Sequence, residues 1–159
     1  MAIPSYPEEM MFDLFGIDAQ HKGDVPLIRM TTAHFRKCKD YTSLIAHVLN
    51  IASIAVIQSK GQHHRDTNLF DLQVEMMGTE YSNVDIGFFR NLLKTLVKMF
   101  PNMLRRCEIH NSPGFFPALY KLLSPLIPKE TRQKIHIIRK NTLAASEPIL
   151  PTTSASLLT

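Results

Sequence analysis

Residues 115–127 read FFPALYKLLSPLI, in which only Lys121 and Ser124 are strongly polar and Tyr120 is amphipathic. A helix of that composition has no broad polar face to turn toward water. The last helix of a small domain is rarely buried on every side, so this stretch limits what the chain can become. One resolution is that it covers apolar space inside the protein on one side and meets a second apolar phase, such as a membrane, on the other. Around it lie a break at Pro101, a short alternating strand over residues 105–111, and a basic segment that returns as a strand over residues 134–138.

The elements upstream follow from periodicity. After a turn at Gly23-Asp24, residues 25–30 read as a strand with Pro26 near its start, where a missing amide donor is tolerated. Leu44, Ile45, Val48, Leu49, Ala52, Ala55 and Val56 recur at three- and four-residue steps, which predicts a helix over residues 41–59, capped by Asp40 or Thr42. Phe70, Leu72, Val74 and Met76 alternate with Asp71, Gln73 and Glu75, which predicts a strand over residues 69–76 that Gly78 stops. A clean amphipathic helix follows over residues 84–99. Ile86, Phe89, Leu92, Leu93, Leu96, Val97 and Phe100 form its apolar stripe, and Arg90, Asn91, Lys94 and Lys98 its outer face. Ser82 or Asn83 is its expected cap, with Asp85 complementing the dipole. Alternating strands and helices predict an α/β fold with a mostly parallel β-sheet over residues 21–140. Residues 1–20 are expected to be an irregular lead, and residues 141–159 a small, polar tail.

Composition narrows the function. An apolar fraction of 45% with 20% charged residues is that of an ordinary globular chain. Two cysteines, Cys38 and Cys107, form no disulfide framework or CxxC pair, which fits a reducing, cytoplasmic setting. The tract from Leu44 to Ile57, interrupted by His47 and Asn50, is too short to span a bilayer, and the acidic N-terminus lacks the basic start of a secretory signal. Charge is unevenly placed. Residues 90–140 hold eleven Lys and Arg against two acids, a net of +9, and the rest hold seven against twelve, a net of −5. A basic half of this kind suits anionic lipid headgroups at about 1 kcal/mol per well-placed cation. Nucleic acid, or a solvated face with no partner, accounts for the charge equally well.

Several of these residues also resemble a known family. Asn111-Ser112-Pro113, then Phe116, Tyr120 and Pro125, then Thr131, Arg132, Lys134 and Ile135 resemble the Asn-Ala-Pro strand end, mobile gate helix and Thr-Arg-Lys-Lys-Ile return of CRAL-TRIO lipid-binding domains, the phosphatidylinositol-transfer-protein-like family. The resemblance covers about residues 20–140 and implies a minimal or truncated member, without the helical N-terminal subdomain common in the family. It implies a CRAL-TRIO-like pocket closed by a gate helix at residues 115–127. Its walls would include Phe70, Leu72, Phe116, Tyr120 and Leu123, and its ligand would be a phospholipid such as phosphatidylinositol or another hydrophobic small molecule. Lys134 matches the family lysine that meets the headgroup phosphate, and Phe100-Pro101-Asn102 stands where the family has Tyr-Pro-Glu, so Asn102 replaces an acid. Phe70 and Leu72 replace a Ser/Thr pair of some phospholipid-binding members, which points away from phosphatidylcholine-type recognition. Leu150-Pro151 fits the opening of the family's final motif, but no glycine pair follows it.

The leading expectation is a non-catalytic binding or transfer protein, transiently membrane-associated through Phe115, Lys121, Lys129 and Arg132 at an anionic surface. The alternative is a protein-interaction scaffold of the same fold with a degenerate pocket and a protein partner. No Gly-rich phosphate loop, GxSxG or HExxH is present, and His64-x-Asp66 lacks the convergent ligands a metal needs, so neither catalysis nor a cofactor is expected. Nucleic acid is not an expected partner either, since the aromatics sit in apolar stripes and form no exposed stacking platform.

Overall fold

Strands and helices alternate as the hydrophobic periods require. The computed structural model describes residues 3–23, 25–63 and 69–138, with residues 60–63 described for their backbone alone. In chain order the elements are β1 (Ile3–Ser5), α1 (Met11–Leu14), β2 (Phe15–Ile17), β3 (Leu27–Thr31), β4 (Cys38–Asp40), α2 (Thr42–His63), β5 (Phe70–Glu75), α3 (Ile86–Met99), β6 (Leu104–His110), α4 (Phe116–Leu123), α5 (Lys129–Arg132) and β7 (Ile135–Ile138). Short 3₁₀ turns join several of them. Among the described residues the main sheet runs β2-β3-β5-β6-β7, parallel throughout except for β2, which is antiparallel to β3.

The strand order explains where the core lies. Each crossover from β3 to β7 steps to the next strand in the same direction, so crossovers of one hand deliver α2, α3 and α4 to the same face of the sheet. On that face α2 buries Leu44, Val48, Ile51 and Ala55 with Ile28 and Phe70, and α3 adds Phe88 and Leu92. Toward β7 a second cluster joins Met76, Cys107 and Ile109 to Phe116 and Leu119 of α4. The opposite face has period-two polar residues. Asp71 takes a two-pronged hydrogen bond from Arg105 at 3.0 and 2.7 Å, Arg106 bonds Glu108 at 2.8 Å, and His110 meets Glu108 at 3.0 Å. The acidic side of the strand over residues 69–76 is therefore paired across strands.

Several expectations need correction. Residues 1–20 are not an irregular lead. β1 pairs with β4, β2 edges the main sheet, and Tyr6, Met11, Leu14 and Phe15 are buried in the core. Their apolar residues are spread over elements of three or four residues, too short to show a period before tertiary packing selects them. α2 does not end at residue 59 but continues to His63. Its stretch from Thr42 to Ser59 is long and apolar enough by length and composition to cross a membrane, contrary to the reading of Leu44 to Ile57 as too short, though its inner side is buried against the sheet. Its start is held by Asp40, whose Oδ1 accepts from Thr42 N at 2.9 Å and Thr42 Oγ1 at 2.6 Å. The cap of α3 is Asp85 rather than Ser82 or Asn83. One Asp85 oxygen accepts from Phe88 N at 3.1 Å and the other from the Tyr41 hydroxyl at 2.8 Å, which ties the start of α2 to α3. Residues 115–127 are not one continuous helix: α4 ends at Leu123, and Ser124–Leu126 tighten into a 3₁₀ turn. Pro125 supplies no amide for the i−4 carbonyl and its ring crowds the preceding turn. The tail at 141–159, His64-x-Asp66 and Leu150-Pro151 lie outside the described residues.

Candidate functional site

Between the sheet and its helical layer lies a cavity of about 210 Å³. Its floor is Met30, Leu72, Val74, Met76, Ile109 and Ile135, residues that neighbouring strands place side by side because Met30 pairs with Val74 and Val74 with Ile109. α3 contributes Phe89, Leu92, Leu93 and Leu96, and α4 contributes Phe116, Leu119, Tyr120 and Leu123, with Ile127 beyond it. The α4 residues follow the i, i+3, i+4, i+7 step that puts them on one face. Phe116 stacks on Tyr120 at 5.8 Å. The outward face of α4 shows Pro117, Ala118, Lys121 and Leu122, and Leu122 is 52% exposed. The helix thus has apolar residues on both sides, as its composition demands.

Two threonines at the cavity wall bind their hydroxyls within the protein. Thr32 Oγ1 and Thr79 Oγ1 lie 2.6 Å apart, and Thr32 Oγ1 also donates to Glu75 O at 3.2 Å. Both hydroxyl protons are then used within the protein, which leaves the wall effectively hydrocarbon. That lining suits an acyl chain or another apolar body.

A second cavity of about 360 Å³ adjoins the first and shares Phe15, Leu72, Leu93 and Leu96 with it. Its far rim is polar: Asn102, Glu130 and Thr131 stand there beside Pro101, Leu104 and Pro128. Asn102 has a φ of +58°, a conformation that asparagine tolerates better than most residues. Lys134 donates from Nζ to Leu104 O at 2.9 Å, on the strand that walls this cavity. Lys129 and Arg132, both exposed, belong to α5 on either side of Glu130 and Thr131.

The residues expected as pocket walls are divided between the two spaces, whereas Lys134 lines neither. Leu72, Phe116, Tyr120 and Leu123 line the first cavity, Leu72 also the second. Phe70 lines the second and not the first, because it stands at the start of β5, one pleat away from Leu72. Asn102 lies at the polar rim, and Lys134 reaches the Leu104 carbonyl there. Phe115 packs edge-on against Tyr81 at 5.4 Å outside α4. Met30, Ile109 and Ile127 were not expected at the site, and Thr131 and Ile135, which the sequence offers only as part of the Thr-Arg-Lys-Lys-Ile return, were not expected to line it; the period of the strands carrying Met30, Ile109 and Ile135 was a usable signal.

Asn111 closes the end of β6. Its φ is +55°, and its Nδ2 donates to Glu75 Oε2 at 2.8 Å. Burial pushes the Glu75 carboxyl up, but the Asn111 amide and Met77 N–H outweigh it and hold the group below its usual range. Neither cysteine is poised as a nucleophile. Burial pushes the Cys107 thiol up to about 12, and burial likewise raises Cys38, whose thiol donates to Asp40 O at 3.3 Å. Among the described residues no three His, Cys, Asp or Glu side chains converge as metal ligands.

The one-sided α/β layer thus leaves apolar space between its sheet and the helix α4. The chain belongs to the CRAL/TRIO domain family, whose model matches residues 14–148. No curated protein sequence matches it. Among solved structures it is similar to the crystal structure of Sfh5, with a TM-score of 0.65 and 14% identity, covering 86% of this chain and 52% of that one. The chain therefore spans about half the length of Sfh5.

Proposed function

We propose that the protein is a non-catalytic carrier of one phospholipid, with phosphatidylinositol the leading candidate, which it exchanges with an anionic membrane through movement of α4. The observation that carries this reading is the apolar cavity of about 210 Å³ lined on one side by α4, next to a second space with a polar rim. An acyl chain would occupy the first cavity. The headgroup would sit at the rim, its phosphate drawing the Lys134 ammonium from the Leu104 carbonyl and its hydroxyls meeting Asn102 and Thr131. Phe115, Lys121, Lys129 and Arg132 would face the membrane while the helix is displaced, in the cytoplasm. The alternative of a protein-interaction scaffold expects this space to be packed with side chains, and the unfilled volume supports the carrier.

The test is transfer of fluorescently labelled phosphatidylinositol between donor and acceptor vesicles, with labelled phosphatidylcholine in parallel. The proposal expects the first lipid to move faster with protein present. Equal, protein-independent rates for both lipids would contradict it.

A further inference from the structure

The helix beside α4 carries a row of cations that nothing in the pocket uses. Arg90, Lys94 and Lys98 of α3 recur every four residues and are all exposed. Steps of four residues keep them on one side of the helix, over about 12 Å of its length. Among the described residues none of the three has a carboxylate within ion-pair distance, whereas Arg29, Arg105 and Arg106 each hold one. Neither α3 nor α4 nor the turn Ser124–Leu126 contains an acid.

The placement of the row gives it meaning. α3 sends Phe89, Leu92, Leu93 and Leu96 into the cavity that α4 closes with Phe116, Leu119, Tyr120 and Leu123. With both inner faces fixed on one cavity, both outer faces look away from the sheet on the same side. α3 also packs against Ser124–Leu126 directly. The outer surface of the helical layer thus sets a row of unpaired cations beside the exposed Ala118, Leu122 and Pro125 of the α4 segment, with Lys121 among them. Cations next to exposed apolar side chains complement a bilayer whose surface is anionic and whose interior is hydrocarbon.

We infer that Arg90, Lys94 and Lys98 form an electrostatic docking row that holds α3 against an anionic bilayer and presents α4 to it. This rests on the carrier reading above and adds to it the surface that orients the molecule. The row acts while α4 is still closed, because none of its residues lies in the cavity wall. It also makes capture depend on surface charge, so that the protein loads and unloads at phosphatidylserine-rich membranes in preference to neutral ones.

The experiment is co-sedimentation with phosphatidylcholine vesicles made with and without phosphatidylserine, using the full chain. Three variants are compared with it. R90Q/K94Q/K98Q removes the row, K22Q/K37Q/K39Q removes the same charge from exposed lysines elsewhere, and L122D tests α4. The row variant is expected to lose about fivefold of anionic-vesicle affinity per cation, roughly a hundredfold in all, with neutral-vesicle binding unchanged. The control triple is expected to lose much less. Equal loss in both triples would overturn the row in favour of net charge. Full anionic binding by the row variant would overturn the bilayer as its occupant and leave an acidic protein surface in its place. If L122D alone abolishes binding, the row fails while the α4 reading stands. Unaltered protein that yields no bound lipid on extraction yet sediments with anionic vesicles through the row would tell against the pocket and leave the row standing.

Discussion

Filling the first cavity separates a ligand pocket from a badly packed core, because the two readings expect opposite results. Leu72 stands on the rigid sheet and faces both cavities, so Leu72→Trp extends a ring into the space between them. At about 30 Å³ per water-sized group, about 210 Å³ holds roughly seven methylenes. At about 0.8 kcal/mol per buried methylene, excluding an acyl chain from it removes about 5 to 6 kcal/mol of binding, or about four orders of magnitude in Kd. The same ring fills empty apolar volume. With residual cavities costing about 24 cal/mol per Å³, occupying half of the 210 Å³ contributes up to about 2.5 kcal/mol of stability to the ligand-free protein. Urea unfolding of delipidated protein and titration with a fluorescent fatty-acyl phospholipid measure the two quantities. The expected result is a variant at least as stable as the parent that no longer binds. A destabilised variant with unchanged affinity would refute the reasoning, since it would show that the space is neither empty nor used.

Other outcomes follow from the same geometry. Phe115→Asp, which changes a half-buried ring against Tyr81, should weaken vesicle binding at least tenfold with the far-UV CD unchanged, whereas Phe116→Asp, at a buried wall position, should unfold the domain. Lys134→Ala should reduce phosphatidylinositol binding by about 1.5 to 3 kcal/mol, the range for a charge-assisted hydrogen bond, and leave a neutral apolar ligand unaffected in competition assays. Glu75 is held below its ordinary value of 4.5, so the folded protein releases this proton more readily than the unfolded chain. Stability should hold above about 4.5 and decline as pH falls through the folded-state value, and urea unfolding of Glu75→Gln should show a shallower acid decline than the parent.

The parts legible in the sequence were those with a clear period. The strand at residues 69–76 and the stripe from Ile86 to Phe100 announce their inner faces, so Leu72, Leu92, Leu93 and Leu96 were identifiable as core before any packing was known. α4 was legible for the opposite reason, since its lack of a polar face pointed to apolar space on its inner side, where Phe116, Leu119, Tyr120 and Leu123 line the cavity. The N-terminal residues were not legible. Tyr6, Met11 and Leu14 are buried by contacts with residues tens of positions away, and a three-residue strand such as β1 has no period to read. The division of the site into two spaces was also hidden, because Phe70 and Leu72 share a face but stand at different points along β5. Nor does spacing reveal a pairing such as Asp71 with Arg105, which depends on the register of β5 against β6.

The central claim is that the apolar space is a ligand site, and the most direct measurement is mass spectrometry of organic extracts from the purified protein against a mock purification. The account predicts one enriched lipid class near one molecule per chain, lost in Leu72→Trp. Extracts without enriched lipid from well-folded protein, still empty after incubation with mixed vesicles, would contradict it.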